Sequence, residues 1–175
     1  SWTLGANVEK LELTGTANLM GTGNTLANII TGNSGNNVLN GLGGVDSLNG
    51  GEGPDLYLFG LPAEHSSAEI ADTGSTGVDE VRFTATGAGT LKLYAGDTGI
   101  ERVVIGTGTD AVANSEGTVA LNVGASPLSN AITMIGNAGA NILTGTAFAD
   151  QMDGGSGNDL LNGQAGIDLM DGEEG

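Results

Sequence analysis

The chain has no cysteine, which excludes disulfides and thiolate metal sites, and its single histidine, His65, makes a zinc site unexpected. Aromatic residues make up 3% of its 175 residues, too few for an aromatic-rich sandwich core. Cationic side chains are as scarce: 4 Lys and Arg stand against 21 Asp and Glu, a formal net charge of -17. Nucleic acid and anionic membrane surfaces would be repelled by such a chain, and cations are its natural partners. No apolar run approaches the roughly 18 residues of a membrane span, and no basic segment followed by an apolar one opens the sequence. The sequence starts at Ser1 and stops at Gly175 inside a repeat, so it is expected to be a piece of a longer protein.

Glycine is what the chain has in excess, at 33 residues, and it recurs with a period. From Gly23 four nonapeptides follow without a gap, GNTLANIIT, GNSGNNVLN, GLGGVDSLN and GGEGPDLYL. From Gly136 four more follow, GNAGANILT, GTAFADQMD, GGSGNDLLN and GQAGIDLMD, and Gly172 opens another. The first column is always Gly. The sixth is always Asp or Asn, and the eighth is always apolar: Ile30, Leu39, Leu48, Tyr57, Leu143, Met152, Leu161 and Met170. A repeat of a six-residue turn and a three-residue strand cannot form a helix, and a strand that short cannot stand alone. Two repeats therefore complete one coil of a solenoid, and coils stack at about 4.8 Å with the eighth-column side chains inward. Residues 18 apart then lie side by side on successive coils. Glycine in the first and fourth columns is expected to supply positive φ in the turns.

These columns resemble the RTX, or haemolysin-type, calcium-binding repeat over residues 23–58 and 136–175. The resemblance implies an all-β fold, a right-handed parallel β-roll with several calcium ions between successive turns. The implied ligands are Asp46, Asp55, Asp150, Asp159 and Asp168, with Asn28, Asn37 and Asn141 as weaker amide ligands. Backbone carbonyls of the glycine-rich loops, at Gly32, Gly41, Gly50, Gly136, Gly145, Gly154 and Gly163, would complete the sites. The chemistry agrees with the resemblance: carboxylates stacked about 5 Å apart repel by about 3 kcal/mol at an effective dielectric near 20. Oxygen-only donors in irregular cages suit calcium better than magnesium. The family also implies type I secretion of an unfolded chain that folds outside the cell. Among sixth-column pairs 18 apart, only Asp150 and Asp168 are both carboxylates, so theirs is the predicted best site.

A longer duplication relates residues 5–15 to 97–107 and 32–41 to 136–145, so the chain reads as two tandem units of β rungs leading into a roll. The expected divisions are 1–59, 60–91 and 92–175. Alternation in LELT, TLKLY, RVVIG, VALNV and ITMIG predicts further rungs. Residues 61–81 hold the one credible helical stretch, with Pro62 suited to a first turn, and a helix there would cap the first roll. Glu69, Asp72 and Asp79 could close a calcium site on its last turn, and His65 is expected at the surface or packed in the cap. No nucleophile and base stand together outside the columns, so no catalytic residue is assigned. The favoured function is a noncatalytic calcium-binding scaffold within a larger secreted or cell-surface protein, flanked by neighbouring repeats. The alternative is an adhesion module for a cell surface or glycan, although Trp2, Tyr94 and Phe148 share no register that would make an aromatic ladder.

Overall fold

A computed structural model describes residues 1–173; the expected break at Gly175 lies outside them. The chain winds as a parallel β-solenoid. One face is a nine-stranded sheet with a strand from each turn: β1 (Trp2–Thr3), β3 (Met20–Asn24), β5 (Val38–Leu42), β7 (Leu56–Phe59), β8 (Glu80–Phe83), β10 (Arg102–Ile105), β12 (Thr133–Ile135), β14 (Gln151–Asp153) and β16 (Leu169–Asp171). The opposite face is made of two smaller parallel sheets. One holds β2 (Lys10–Glu12), β4 (Ile29–Thr31) and β6 (Ser47–Asn49), the other β9 (Gly89–Lys92), β11 (Leu121–Gly124), β13 (Ile142–Thr144) and β15 (Leu160–Asn162). The turn between β8 and β10 supplies both β9, which pairs with β11, and Thr98, which bridges Ala71, so the two small sheets meet there.

The eighth-column residues stack in register, Ile30 on Leu48 and Leu39 on Tyr57. With Ile70, Val81, Phe83, Leu91, Val103 and others they form one hydrophobic core running through the solenoid. Each fully buried Leu or Ile contributes about 1.5–3 kcal/mol, which is how strands of three residues persist. Met170, on the outermost strand of the nine-stranded sheet, is 49% exposed. Tyr57 is the one polar-tipped residue in this column, and its hydroxyl oxygen accepts a 2.8 Å bond from the buried Gly50 amide. Tyr57→Phe removes that acceptor and is expected to cost about 1–3 kcal/mol, read as a lower midpoint in denaturant with calcium present.

The helix predicted within 61–81 does not form. Among the described residues there is no α-helix, and that segment keeps only a 3-10 turn, Pro62–Glu64. The reason is Ile70, which bridges Leu48 and is fully buried. A buried Ile is worth about 2–3 kcal/mol, against a few tenths per residue from the helix propensity of Ala and Glu. The segment therefore lies alongside the solenoid instead of covering an end, and β7 pairs directly with β8 across it.

The duplication also takes an unexpected form. Residues 5–15 carry β2 on a small sheet, whereas their counterpart, 97–107, carries β10 on the nine-stranded sheet. Likewise β5 and β13 stand on opposite faces. The two units are thus half a turn out of phase within one continuous solenoid. The offset is already present at β10; the loop after β10 is tied down by Arg82. This buried guanidinium donates to Glu80 and to the carbonyls of Gly108 and Asp110.

Candidate metal centre

The sixth-column carboxylates are placed by a repeated contact. One oxygen of each accepts the amide of the residue one turn back: Asn28 N to Asp46 Oδ1 at 2.8 Å, Asn37 N to Asp55 at 2.6 Å, Asn141 N to Asp159 at 2.7 Å and Asp150 N to Asp168 at 3.0 Å. The second oxygens of Asp46, Asp55 and Asp159 are buried and have no hydrogen-bond partner. Leaving a buried carboxylate oxygen unmade costs on the order of 1–3 kcal/mol or more, so these atoms call for a ligand.

First-column glycine makes room for those oxygens. A Cβ on Gly41, Gly50 or Gly154 would collide with the Asp46, Asp55 or Asp159 carboxylate of the same repeat. None of the first-column glycines has a positive φ, which corrects the expectation that they were there for turn conformation. Positive φ falls at the second and fourth positions of four repeats, as at Leu42 (66°) with Gly44 (125°) and Gln164 (70°) with Gly166 (127°), and not at the fourth-column Gly35 or Gly139. The carbonyls of Gly41, Gly50, Gly154 and Gly163 point at the first-column glycine one turn back, respectively Gly23, Gly32, Gly136 and Gly145.

Asparagine in the sixth column is occupied otherwise. The Oδ1 atoms of Asn28, Asn37 and Asn141 accept the amides of Asn24, Asn33 and Asn137, and their Nδ2 groups donate to nearby oxygens. These are asparagine ladders complete without metal. Asp150 behaves like them, because its carboxylate accepts from the Thr146 amide, the Thr146 hydroxyl and the Ile132 amide. The pair Asp150 and Asp168 does adjoin across a turn, yet Asp150 has no buried oxygen to spare.

The strongest cluster lies elsewhere, at Asp55, Asp72 and Asp79, which are all buried and offer oxygens within 4.8 Å of one another. Asp55 and Asp79 are neighbours one turn apart, separated by 24 residues, with the Asp55 amide donating to Asp79 Oδ1 at 2.8 Å. Asp72 Oδ1 accepts from the Gly51 and Gly74 amides, while Asp72 Oδ2 and Asp55 Oδ2 are unpartnered. Among the described residues no ion pair reaches this cluster. Burial pushes Asp55 up to about 7 despite the Asn37 amide, with Asp72 adding to the rise. Burial, then the neighbouring Asp72 carboxyl, raise Asp79 to about 8. Asp46 is raised to about 6, chiefly by burial, with smaller contributions from Glu69 and Glu64.

Glu69 does not join Asp72 and Asp79. It faces His65, and His65 is neither at the surface nor in a cap but buried, 1% exposed, between Glu69 and Asp97. Burial lowers the His65 pKa, but the bond to Asp97 and the Glu69 carboxylate 3.5 Å from Nδ1 outweigh it and bring it to about 9. Asp97, which sequence reasoning missed, serves the amides of Glu69 and Ile70 as the sixth-column carboxylates serve theirs.

A parallel solenoid whose turns carry buried, unpartnered carboxylate oxygens over glycine clearances is an acidic β-solenoid repeat protein. The kind of repeat is specific: a family model for the RTX calcium-binding nonapeptide repeat matches in four copies, over residues 22–57 and 135–170, and the chain carries those repeats. RTX nonapeptide repeats bind calcium. The comparisons with curated proteins and with solved structures each returned no match.

Proposed function

We propose that this chain is a noncatalytic structural segment of a larger secreted bacterial protein, one that folds when calcium binds after export. The observation that carries this reading is the set of buried carboxylate oxygens left without partners, at Asp46, Asp55, Asp72 and Asp159. Oxygen donors of this kind fit calcium, a hard cation tolerant of irregular cages. Asp55, Asp72 and Asp79 would hold the principal ion, with Asp46 and Asp159 contributing to sites within the arrays. Asp168 would be a peripheral ligand. Asn28, Asn37, Asn141 and Asp150 would join turns by hydrogen bonds. Calcium, when bound, supplies positive charge that cancels carboxylate repulsion and links adjacent turns. The divisions at 59 and 91 would then separate two calcium-responsive blocks from the irregular middle of a single solenoid.

Calcium titration calorimetry tests the assignment. Asp55→Asn is expected to weaken the tightest site about tenfold or more, because a charged ligand is lost, whereas Asp150→Asn changes affinity little. Equal losses from the two substitutions would overturn it.

A further inference from the structure

His65, Glu69 and Asp97 form a second polar cluster, and none of their side chains has exposed surface. It lies where the carboxylate column of the first roll breaks off. Ala68 stands two residues before the buried Ile70, as Asp46 stands two before Leu48, which Ile70 bridges. The following coil runs close over Ala68, since a Cβ on Gly96 would come within 2.6 Å of its methyl group. This joint therefore has no sixth-column carboxylate, and the three side chains lie there instead.

Asp97 is fully served. Its Oδ1 accepts the Glu69 and Ile70 amides, and its Oδ2 accepts the Tyr94 amide and lies 2.8 Å from His65 Nε2. A carboxylate amid so many donors is an acceptor, so Nε2 carries a proton. Glu69 has no such support: both its oxygens are buried without a hydrogen-bond partner, and Oε2 faces His65 Nδ1 at 3.5 Å. A second proton between them settles on the stronger base, which is imidazole, at about 6.5 against about 4.3 for a glutamate. A carboxylate on either side favours the charged ring further. Asp46, which interacts by charge with Glu69 and Glu64, adds negative field, whereas Phe59 and Tyr94, against the ring at centroid distances of 4.6 and 5.4 Å, add none. Among the described residues no lysine or arginine pairs with Glu69 or Asp97, so the ring is their one cation. Together these influences outweigh burial, and the ring pKa rises to about 9.

We propose that His65 is a built-in cation: a doubly protonated imidazolium that holds Glu69 and Asp97 together and does at this joint what calcium does within the arrays. The comparison with calcium rests on the function proposed above, whereas the charge on the ring does not. A joint of this kind needs no metal, and no metal can restore it once the ring is lost. Its contribution to stability is full below 6.5, the ordinary value, and is lost as the pH climbs through about 9.

Because His65 is the only histidine, its ring nitrogens are read without overlap. In saturating calcium at pH 7.5, nitrogen NMR of the full chain is expected to show a proton on each, with a single deprotonation near pH 9. The melting temperature in the same calcium is expected to fall between pH 8 and 10. His65→Gln should begin about 5 °C or more lower, lack that fall, and gain nothing from about tenfold more calcium. Combining His65→Gln with Glu69→Gln should recover much of the loss, because no unpaired charge is then left buried. If neither variant folds, the wild-type resonances decide the matter. A ring without a proton on Nδ1 at pH 7.5 overturns the proposal, because Glu69 then holds that proton. A folded His65→Gln with the wild-type melting temperature and pH profile also overturns it, as does one that added calcium restores. A doubly protonated ring in a chain whose melting ignores calcium would uphold the imidazolium and refute the calcium reading instead.

Discussion

Chelating calcium from the folded chain at pH 7.5 is expected to abolish most of its β-sheet circular dichroism, and adding calcium back should restore it cooperatively. The argument begins at Asp55, Asp72 and Asp79, whose oxygens crowd within 4.8 Å. Each ionised pair at such a distance repels by about 3 kcal/mol at an effective dielectric near 20. Two or three such pairs rival the whole stability of a typical domain, about 5–15 kcal/mol. Asp46 and Asp159 add buried unpartnered oxygens. Little offsets them: of the four cationic side chains, Arg82 and Arg102 are both engaged with Glu80. Since no site exists in the unfolded chain, calcium binding free energy becomes folding free energy. A β spectrum and melting temperature indifferent to chelator would refute this.

Acid should partly replace calcium. In chelator, the melting temperature is expected to rise as the pH falls from 8.5 to 5. Asp46, Asp55 and Asp79 have folded-state pKa values of about 6, 7 and 8, all above the ordinary 3.8. A carboxyl group raised by folding contributes stability that is fully present below its unfolded value and is lost as the pH climbs through the folded one. The loss therefore runs from about pH 4 to about pH 8, so most of it is seen in this range. His65, raised from 6.5 to about 9, acts in the same direction over the upper part of that range. With calcium present the trend reverses, because the ion needs these carboxylates deprotonated and acid competes with it. Paired melting curves in chelator and in calcium at several pH values check both signs. Parallel trends in the two series would show that the buried carboxylates do not control stability.

The strands were readable from the sequence because a nine-residue period leaves little freedom: once the turns are fixed, Ile30, Leu39, Leu48 and Tyr57 can point only inward. The partnership of Asp55 with Asp79 was harder to see, since a rule of 18 residues breaks where the chain loops out between β7 and β8. A signal existed in the parallel between PDLYLF and VDEVRF, each placing Asp four residues before Phe59 or Phe83. The reason for first-column glycine was hidden because it depends on how near the Asp46 carboxylate swings to Gly41, a matter of packing and not of turn conformation. His65 and Glu69 share one loop while Asp97 comes from the next turn with no shared period, so only the fold brings the three together. The half-turn offset between the duplicated units depends on how the chain is laid between the first roll and β10, and neither propensity nor periodicity encodes that.

The contact between a sixth-column carboxylate and the amide one turn earlier gives the solenoid a direction. At the sixth column and its counterpart at Asp79 the amide is served by a side chain that comes later in the sequence, from Asp46 to Asn28, from Asp79 to Asp55 and from Asp168 to Asp150. Cutting the chain after a given turn takes away the carboxylate that its amide donates to and leaves that N–H to solvent. Cutting it before that turn frees only a carboxylate, which solvent or a cation can satisfy. Growth from the amino terminus is therefore always one coil behind itself: the newest coil stays unlatched until its successor arrives. Amide exchange in nested truncations should show this asymmetry, with protection failing first at the coil whose follower has been removed.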